Sequence, residues 1–284
     1  MKEKLLELAI KTAPEGLKEA VKKAMDATFE AAMAIKELYG KPHNIKYKGQ
    51  IDLVTEADYR SEEILKGALS GVGDAEIMAE ESSVGAELKN GRFWIIDPLD
   101  GTTNFAHSFP FFAPSVALST VEDGKYQTQF GCIFIPLLNE FFWAIRNKGA
   151  FLNLEKIRVS EEKELRKSLL ATGFPYDVYE KPDEVISIFK SMIIRAQGIR
   201  RAGAAAIDLA YVACGRFDGF WEMKLKPWDT AAGILLVEEA GGRVSDFNGG
   251  IYNPFMKEIC ASNSSIHNQM LEVLKEYSCQ HTSI

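Results

Sequence analysis

The sequence predicts a layered protein of mixed α and β structure. Three observations carry this: an unbroken helical segment near the start, a dense block of β-forming residues from Phe93 to Ile145, and, beyond Phe151, short apolar strands alternating with helices. From Pro14 to Tyr39 nothing interrupts a helix. Leu17, Val21, Ala24, Ala31, Ile35 and Leu38 recur near helical spacing, Pro14 suits a first turn, and Gly40 with Pro42 supplies a stop. Lys46 to Gly49 reads as a turn, and a second helix should run from the Asp52–Asp58 segment to about Leu69. Thr55 and Asp58 resemble a capping box with Asp in place of Glu.

The strands Ser115–Thr120, Gln129–Ile135 and Glu140–Ile145 are rich in β formers and are punctuated by Asp123-Gly124 and Pro136. Further on, the alternation assigns strands to Ser168–Thr172, Phe217–Glu222 and Glu258–Ala261. Helices fall at about Pro182–Arg195, Ala202–Cys214, Asp229–Ala240 and Ile266–Tyr277.

Composition excludes several functional classes. A chain of 284 residues, 46% hydrophobic and 26% charged, reads as globular, with room for one large or two closely packed domains. The formal charge of −7 leaves no electrostatic footprint for nucleic acid. Cys132, Cys214, Cys260 and Cys279 lack CxxC spacing, so neither a zinc site nor a disulfide framework is expected. The segment after Lys2, Glu3 and Lys4 has no signal-peptide core, and no stretch nears the roughly 18 apolar residues of a membrane span. A cytoplasmic protein with no membrane partner is the expectation.

The most informative run is Trp94-Ile-Ile-Asp97-Pro-Leu-Asp100-Gly-Thr-Thr103. An apolar strand ends in two carboxylates three residues apart, followed by a glycine and two hydroxyls. Carboxylates and exposed carbonyls suit hard cations such as Mg²⁺, while the following N–H and hydroxyl groups suit an anion. Together they point to metal-assisted phosphoryl transfer to water. Taken alone, the same residues make an ordinary tight turn.

This run resembles the metal-binding signature of the inositol monophosphatase family, the Mg²⁺-dependent, lithium-sensitive phosphatases. Trp228-Asp229-Thr-Ala-Ala-Gly233 through Glu239-Ala-Gly-Gly242 resembles that family's C-terminal signature. Asp52-Leu-Val-Thr55-Glu-Ala-Asp58 and Ala79-Glu80-Glu81-Ser82 fit in the same order. The resemblance implies a five-layer αβαβα sandwich. Residues 1–150 would form an α+β half carrying most metal ligands, and residues 151–284 an α/β half carrying Asp229 and the substrate-recognition residues.

Carried over position by position, the resemblance places Glu80, Asp97 and the Leu99 carbonyl at a first Mg²⁺. Asp97, Asp100 and Asp229 match a second, and Glu80 also touches a weaker third ion, giving two to three ions per subunit. The nucleophile would be a metal-activated water oriented by Thr102, with Asp58 supporting the threonine as a proton relay and Glu80, as a ligand, counted with them in the catalytic set. Gly101 and Thr102 would hold the phosphate. Gly203, Ala204, Ala205, Glu222 and Asp100 would face a polyol.

Several of these residues have simpler explanations. An aspartate opening a helix, as Asp229 would, is a common N-cap, and the capping box accounts for Asp58. Glu56 and Glu81 read as solvated charges and His107 as structural. The family often carries Ser or Thr where this chain has Ala204, which weakens strict inositol specificity. Arg200 and Arg201 either read a second phosphate or begin an exposed basic helix.

The expected activity is hydrolysis of a small-molecule phosphate monoester, foremost myo-inositol 1-phosphate, by a homodimer. Alternatives are a fructose-1,6-bisphosphatase, a dual enzyme, or a non-catalytic regulatory protein on the same fold. Thr103-Asn104, where the nucleotide-phosphatase branch has a lysine, disfavours that branch.

Overall fold

Sheets that bury both faces need helices on each side, and this requirement sets the architecture. The computed structural model describes residues 2–41, 45–47, 52–83, 87–180 and 182–281. Three helices, α1 (Lys2–Thr12), α2 (Lys18–Leu38) and α3 (Glu56–Leu69), form the first layer. A short antiparallel pair, β1 (Ile45–Tyr47) with β2 (Leu53–Thr55), lies between α2 and α3 in the chain.

The seven-stranded sheet follows in sequence order: β3 (Glu76–Ala79), β4 (Gly91–Asp100), β5 (Ala113–Glu122), β6 (Lys125–Ile135), β7 (Glu140–Ile145), β8 (Gly149–Leu152) and β9 (Glu155–Lys156). β3 pairs with β4 in parallel and the remaining neighbours are antiparallel. A five-residue helix, α4 (Thr102–Ala106), links β4 to β5.

The later chain supplies β10 (Leu169–Thr172), α5 (Pro182–Ile193), β11 (Gly198–Arg200), α6 (Ala205–Ala213), β12 (Gly219–Met223), α7 (Pro227–Glu239), β13 (Arg243–Ser245), β14 (Glu258–Ser262) and α8 (His267–His281). Its strands form a second sheet in the order β11-β10-β12-β14-β13.

Side-chain alternation shows the layers directly. Trp94 and Ile96 of β4 pack with α1–α3, whereas Phe93 and Ile95 pack with α6 and α7. Phe220 of β12 joins that middle core, while Trp221 and Met223 pack with Ile188 of α5 and Met270 of α8. The order is therefore helices, sheet, helices, sheet, helices: the αβαβα sandwich.

The structure corrects the sequence reading in several places. The helix expected from Pro14 begins at Lys18, because Pro14 is extended (φ −57°, ψ 150°) and Glu15–Leu17 tighten into a 3₁₀ turn. α1 precedes it, where no element was expected. Lys46 lies in β1 rather than in a turn, and Pro42, Lys48 and Gly49 fall outside the described residues. The helix expected from Ala202 starts at Ala205, and Arg200 ends the edge strand β11 instead of opening a helix. His107 is exposed at the end of α4. Among the described residues, no helix is long and apolar enough to cross a membrane.

Candidate active site

β4 does not stop where its apolar run stops. Pairing with β5 continues to Asp100, with a register shift between Asp97 (opposite Ser115) and Asp100 (opposite Ala113). Pro98 has no N–H to donate, so the ladder bulges there, and both aspartates line one cavity. Gly101 then takes φ +88°, and a β-carbon on it would lie 2.8 Å from the Phe111 carbonyl oxygen. Only glycine fits this reversal into α4.

Asp58 fulfils both of its readings. One oxygen accepts from the Thr55 N–H (2.8 Å) and the Thr55 hydroxyl (2.6 Å), forming the capping box of α3. The other accepts from the Thr102 hydroxyl at 2.8 Å, which also lies 3.0 Å from the Leu99 carbonyl. The Thr102 proton is thus held on the protein side, and Thr102 lines the cavity. Asp229 is not the N-cap of α7. It sits at the third helical position and accepts from the Lys226 N–H at 2.6 Å, which leaves its second oxygen without a backbone partner among the described residues.

The cavity, about 310 Å³, is lined by Glu80, Asp97, Leu99, Asp100, Gly101, Thr102 and Asp229. A second cavity of about 310 Å³ adjoins it, with Gly203, Ala204, Ala205, Glu222 and Arg201 in its walls. Asp100, Gly101, Thr102 and Asp229 line both. The structure thus brings together the residues assigned to the metal, the phosphate and the polyol, with Asp58 reaching the cavity through Thr102, while Arg200 lines neither cavity.

Burial forces the acids to resist ionisation. Burial, then the charges of Glu80, Asp100 and Asp229, hold the Asp97 carboxyl well above its ordinary range, against one opposing N–H bond from Leu99 (2.9 Å). Asp100 is pushed up to about 7, mainly by burial, despite an N–H bond from Ala206 of 2.8 Å. Burial also lifts Asp229 to about 7 and Glu222 to about 8. Among the described residues, no lysine or arginine forms an ion pair with Asp97, Asp100 or Asp229. A divalent cation is the group whose charge would reverse these shifts, and hard oxygen donors fit Mg²⁺. No three acidic, histidine or cysteine side chains among the described residues form a ready-made cage, so binding a metal requires the side chains to adjust.

Sequence reasoning missed several wall residues. Gly173 lies so close to Glu222 that a β-carbon there would collide with both carboxylate oxygens. The Asn104 amide donates to the Phe111 and Ala202 carbonyls, each at 2.8 Å, and ties α4 to the loop carrying Gly203. Phe174, Pro175 and Tyr176 form a shared wall of both cavities. Nothing local in these residues marks them; tertiary contact alone does.

Comparison with known proteins agrees with this geometry. The model of the inositol monophosphatase family matches residues 17–281. An inositol-1-monophosphatase from Synechocystis sp. is 41% identical over 263 residues, covering 92% of this chain and 90% of that protein. A Nus factor SuhB from Pseudomonas aeruginosa is also 41% identical, covering 82% and 87%. The crystal structure of the extragenic suppressor protein suhB from Bartonella henselae superposes with a TM-score of 0.82 at 39% identity, covering 90% of this chain and 98% of that one.

Proposed function

The chain belongs to the inositol monophosphatase family, and from that premise we propose that it hydrolyses myo-inositol 1-phosphate to inositol and inorganic phosphate. The observation that carries this reading is the merging of two cavities. The acid-rich one suits a metal and a phosphate, while the adjoining one presents Glu222 to a polyol. Glu80, Asp97, the Leu99 carbonyl, Asp100 and Asp229 would hold two to three Mg²⁺ ions. When bound, these supply charge that activates a water and stabilises the leaving oxygen.

The protein's own groups do the rest. Asp58 accepts the Thr102 hydroxyl proton, so the Thr102 oxygen accepts a hydrogen bond from the attacking water and fixes its direction; as the water gives up its proton to Thr102, the threonine passes its own to Asp58. The Gly101 and Thr102 backbone faces the phosphate oxygens. The Glu222 carboxylate accepts from ring hydroxyls, and a sugar with the wrong hydroxyl arrangement leaves it unpaired in a buried site. Gly203, Ala204 and Ala205 shape the same wall. We extend the proposal to a cytoplasmic, lithium-sensitive homodimer.

One observation favours a second substrate. The Arg201 guanidinium lies over the Phe174 ring (5.4 Å) in the polyol cavity, and among the described residues it makes no ion pair. It is placed to meet a second phosphate, as fructose 1,6-bisphosphate would present. Phosphate release from inositol 1-phosphate, fructose 1,6-bisphosphate and adenosine 3′,5′-bisphosphate tests the reading. Turnover of inositol 1-phosphate well above the others is expected, and no Mg²⁺-dependent release from any of them would overturn it.

A further inference from the structure

An anionic substrate faces an electrostatic obstacle in this molecule. The chain carries a formal charge of −7, and the candidate site is walled by Glu80, Asp97, Asp100 and Asp229. A phosphate dianion is repelled by the acids while they hold no cation and by the net-negative exterior at all times, unless a local field of opposite sign guides it.

Such a field exists beside the mouth. A cavity of about 590 Å³ is lined by Lys224, Lys226 and Lys257 over Trp228, Phe255 and Met256, with no acidic residue among the described residues of its wall. Lys224 is neutralised by Asp177 at 2.6 Å. Lys226 and Lys257 are exposed, and among the described residues neither makes an ion pair. Ser83, Lys224, Leu225, Lys226 and Trp228 also line the acid-rich cavity, so the two spaces adjoin along a shared wall. None of the residues that face the polyol lines it: Glu222 and Gly203–Ala205 line the second, polyol cavity instead.

We propose that this lysine-lined cavity is a vestibule for the phosphate dianion, which it concentrates before transfer to the catalytic cavity and receives again as the released product. The inference rests on the phosphatase reading for its role in turnover but not for the binding itself. Lys226 and Lys257 hold the anion, and the Trp228–Phe255 floor keeps their charge from being fully solvated.

Two experiments separate these levels. In chelator-treated full-length protein the acids repel phosphate, and the binding that is lost with Lys226 and Lys257 reports the vestibule. The ³¹P resonance of inorganic phosphate should broaden saturably with the parent protein and not with a Lys226→Gln/Lys257→Gln variant. In Mg²⁺-loaded enzyme at low ionic strength, Lys257→Glu should raise KM for the phosphate monoester by roughly threefold to tenfold, with Lys257→Arg restoring it. The difference should vanish near 1 M salt, where screening acts within about 3 Å. Lys163→Glu, on a remote exposed loop, changes the net charge equally and should leave KM unmoved.

Equal broadening by the parent and the double variant would overturn the proposal. So would an equal KM rise in Lys163→Glu, which would assign the effect to bulk charge. Lysine-dependent broadening in a protein that releases no phosphate from any substrate would instead refute the phosphatase reading and leave the anion site standing.

Discussion

Asp100→Asn tests the site at its electrostatic root. Moving a carboxyl from its ordinary 3.8 up to about 7 in the fold corresponds to roughly 4 kcal/mol of lost stability once the group is ionised. Asn has the same shape and keeps an oxygen for the Ala206 N–H, so most of that cost should be released in metal-free protein. The sign follows from the direction of the shift. A carboxyl whose folded pKa lies above its unfolded value stabilises the fold fully below about pH 4, and this contribution is lost as pH rises to about 7. The Tm of the variant in chelator should therefore match the parent near pH 4, rise above it between pH 4 and 7, and exceed it by about 5–10 °C at higher pH. Mg²⁺ should raise the Tm of the parent more than that of the variant, and phosphate release should fall roughly 10²–10³-fold, as loss of several kcal/mol of metal stabilisation requires. Differential scanning fluorimetry across pH, with and without Mg²⁺, together with a phosphate-release assay, reads all three. A variant less stable than the parent at pH 8 in chelator, or one with undiminished turnover, would refute the reasoning.

Glu222→Gln should raise KM for inositol 1-phosphate by the equivalent of about 1–3 kcal/mol with Mg²⁺ dependence intact, while Arg201→Ala should matter only for fructose 1,6-bisphosphate. Steady-state kinetics on both substrates decide this, and an unimpaired Glu222→Gln enzyme contradicts the inositol assignment. Activity should require Mg²⁺ at about millimolar levels, since the acids must rearrange to bind it, and should be inhibited by Li⁺ and by high Ca²⁺; full turnover in excess chelator would reject metal dependence. His267 is buried between the Ser245 and Ser262 hydroxyls (2.9 and 2.8 Å), and burial lowers it to about 4. A depressed histidine stabilises the fold fully above about pH 6.5, and the contribution is lost as pH falls toward 4, by about 3 kcal/mol. His267→Gln should flatten that acid-side fall in Tm, and an unchanged profile would show that the imidazole does not carry it.

Much of the site was legible because its chemistry is local. The Asp97–Thr103 run packs two acids, a glycine and two hydroxyls into one strand-to-helix turn, and spacing alone brings them together. The Thr55–Asp58 capping box was likewise readable, since both partners lie within one helical turn. Its second bond, from Thr102, spans 44 residues and was expected only from the family resemblance. Arg201 shows the limit: its sequence context suits a helix start, yet the edge strand β11 and the Phe174 ring place it in the polyol cavity.

By itself the sequence determined the type of the main helices and strands, the two carboxylates at the end of β4 and the family, because these depend on periodicity, turn chemistry and contiguous motifs. The tertiary structure decided which distant groups share a space. Asp229 meets Asp97 only because α7 packs between the sheets, and Glu222 tolerates burial only because Gly173 leaves room for its carboxylate. The raised acids and the basic vestibule beside them arise from burial and long-range proximity, neither of which a linear pattern encodes.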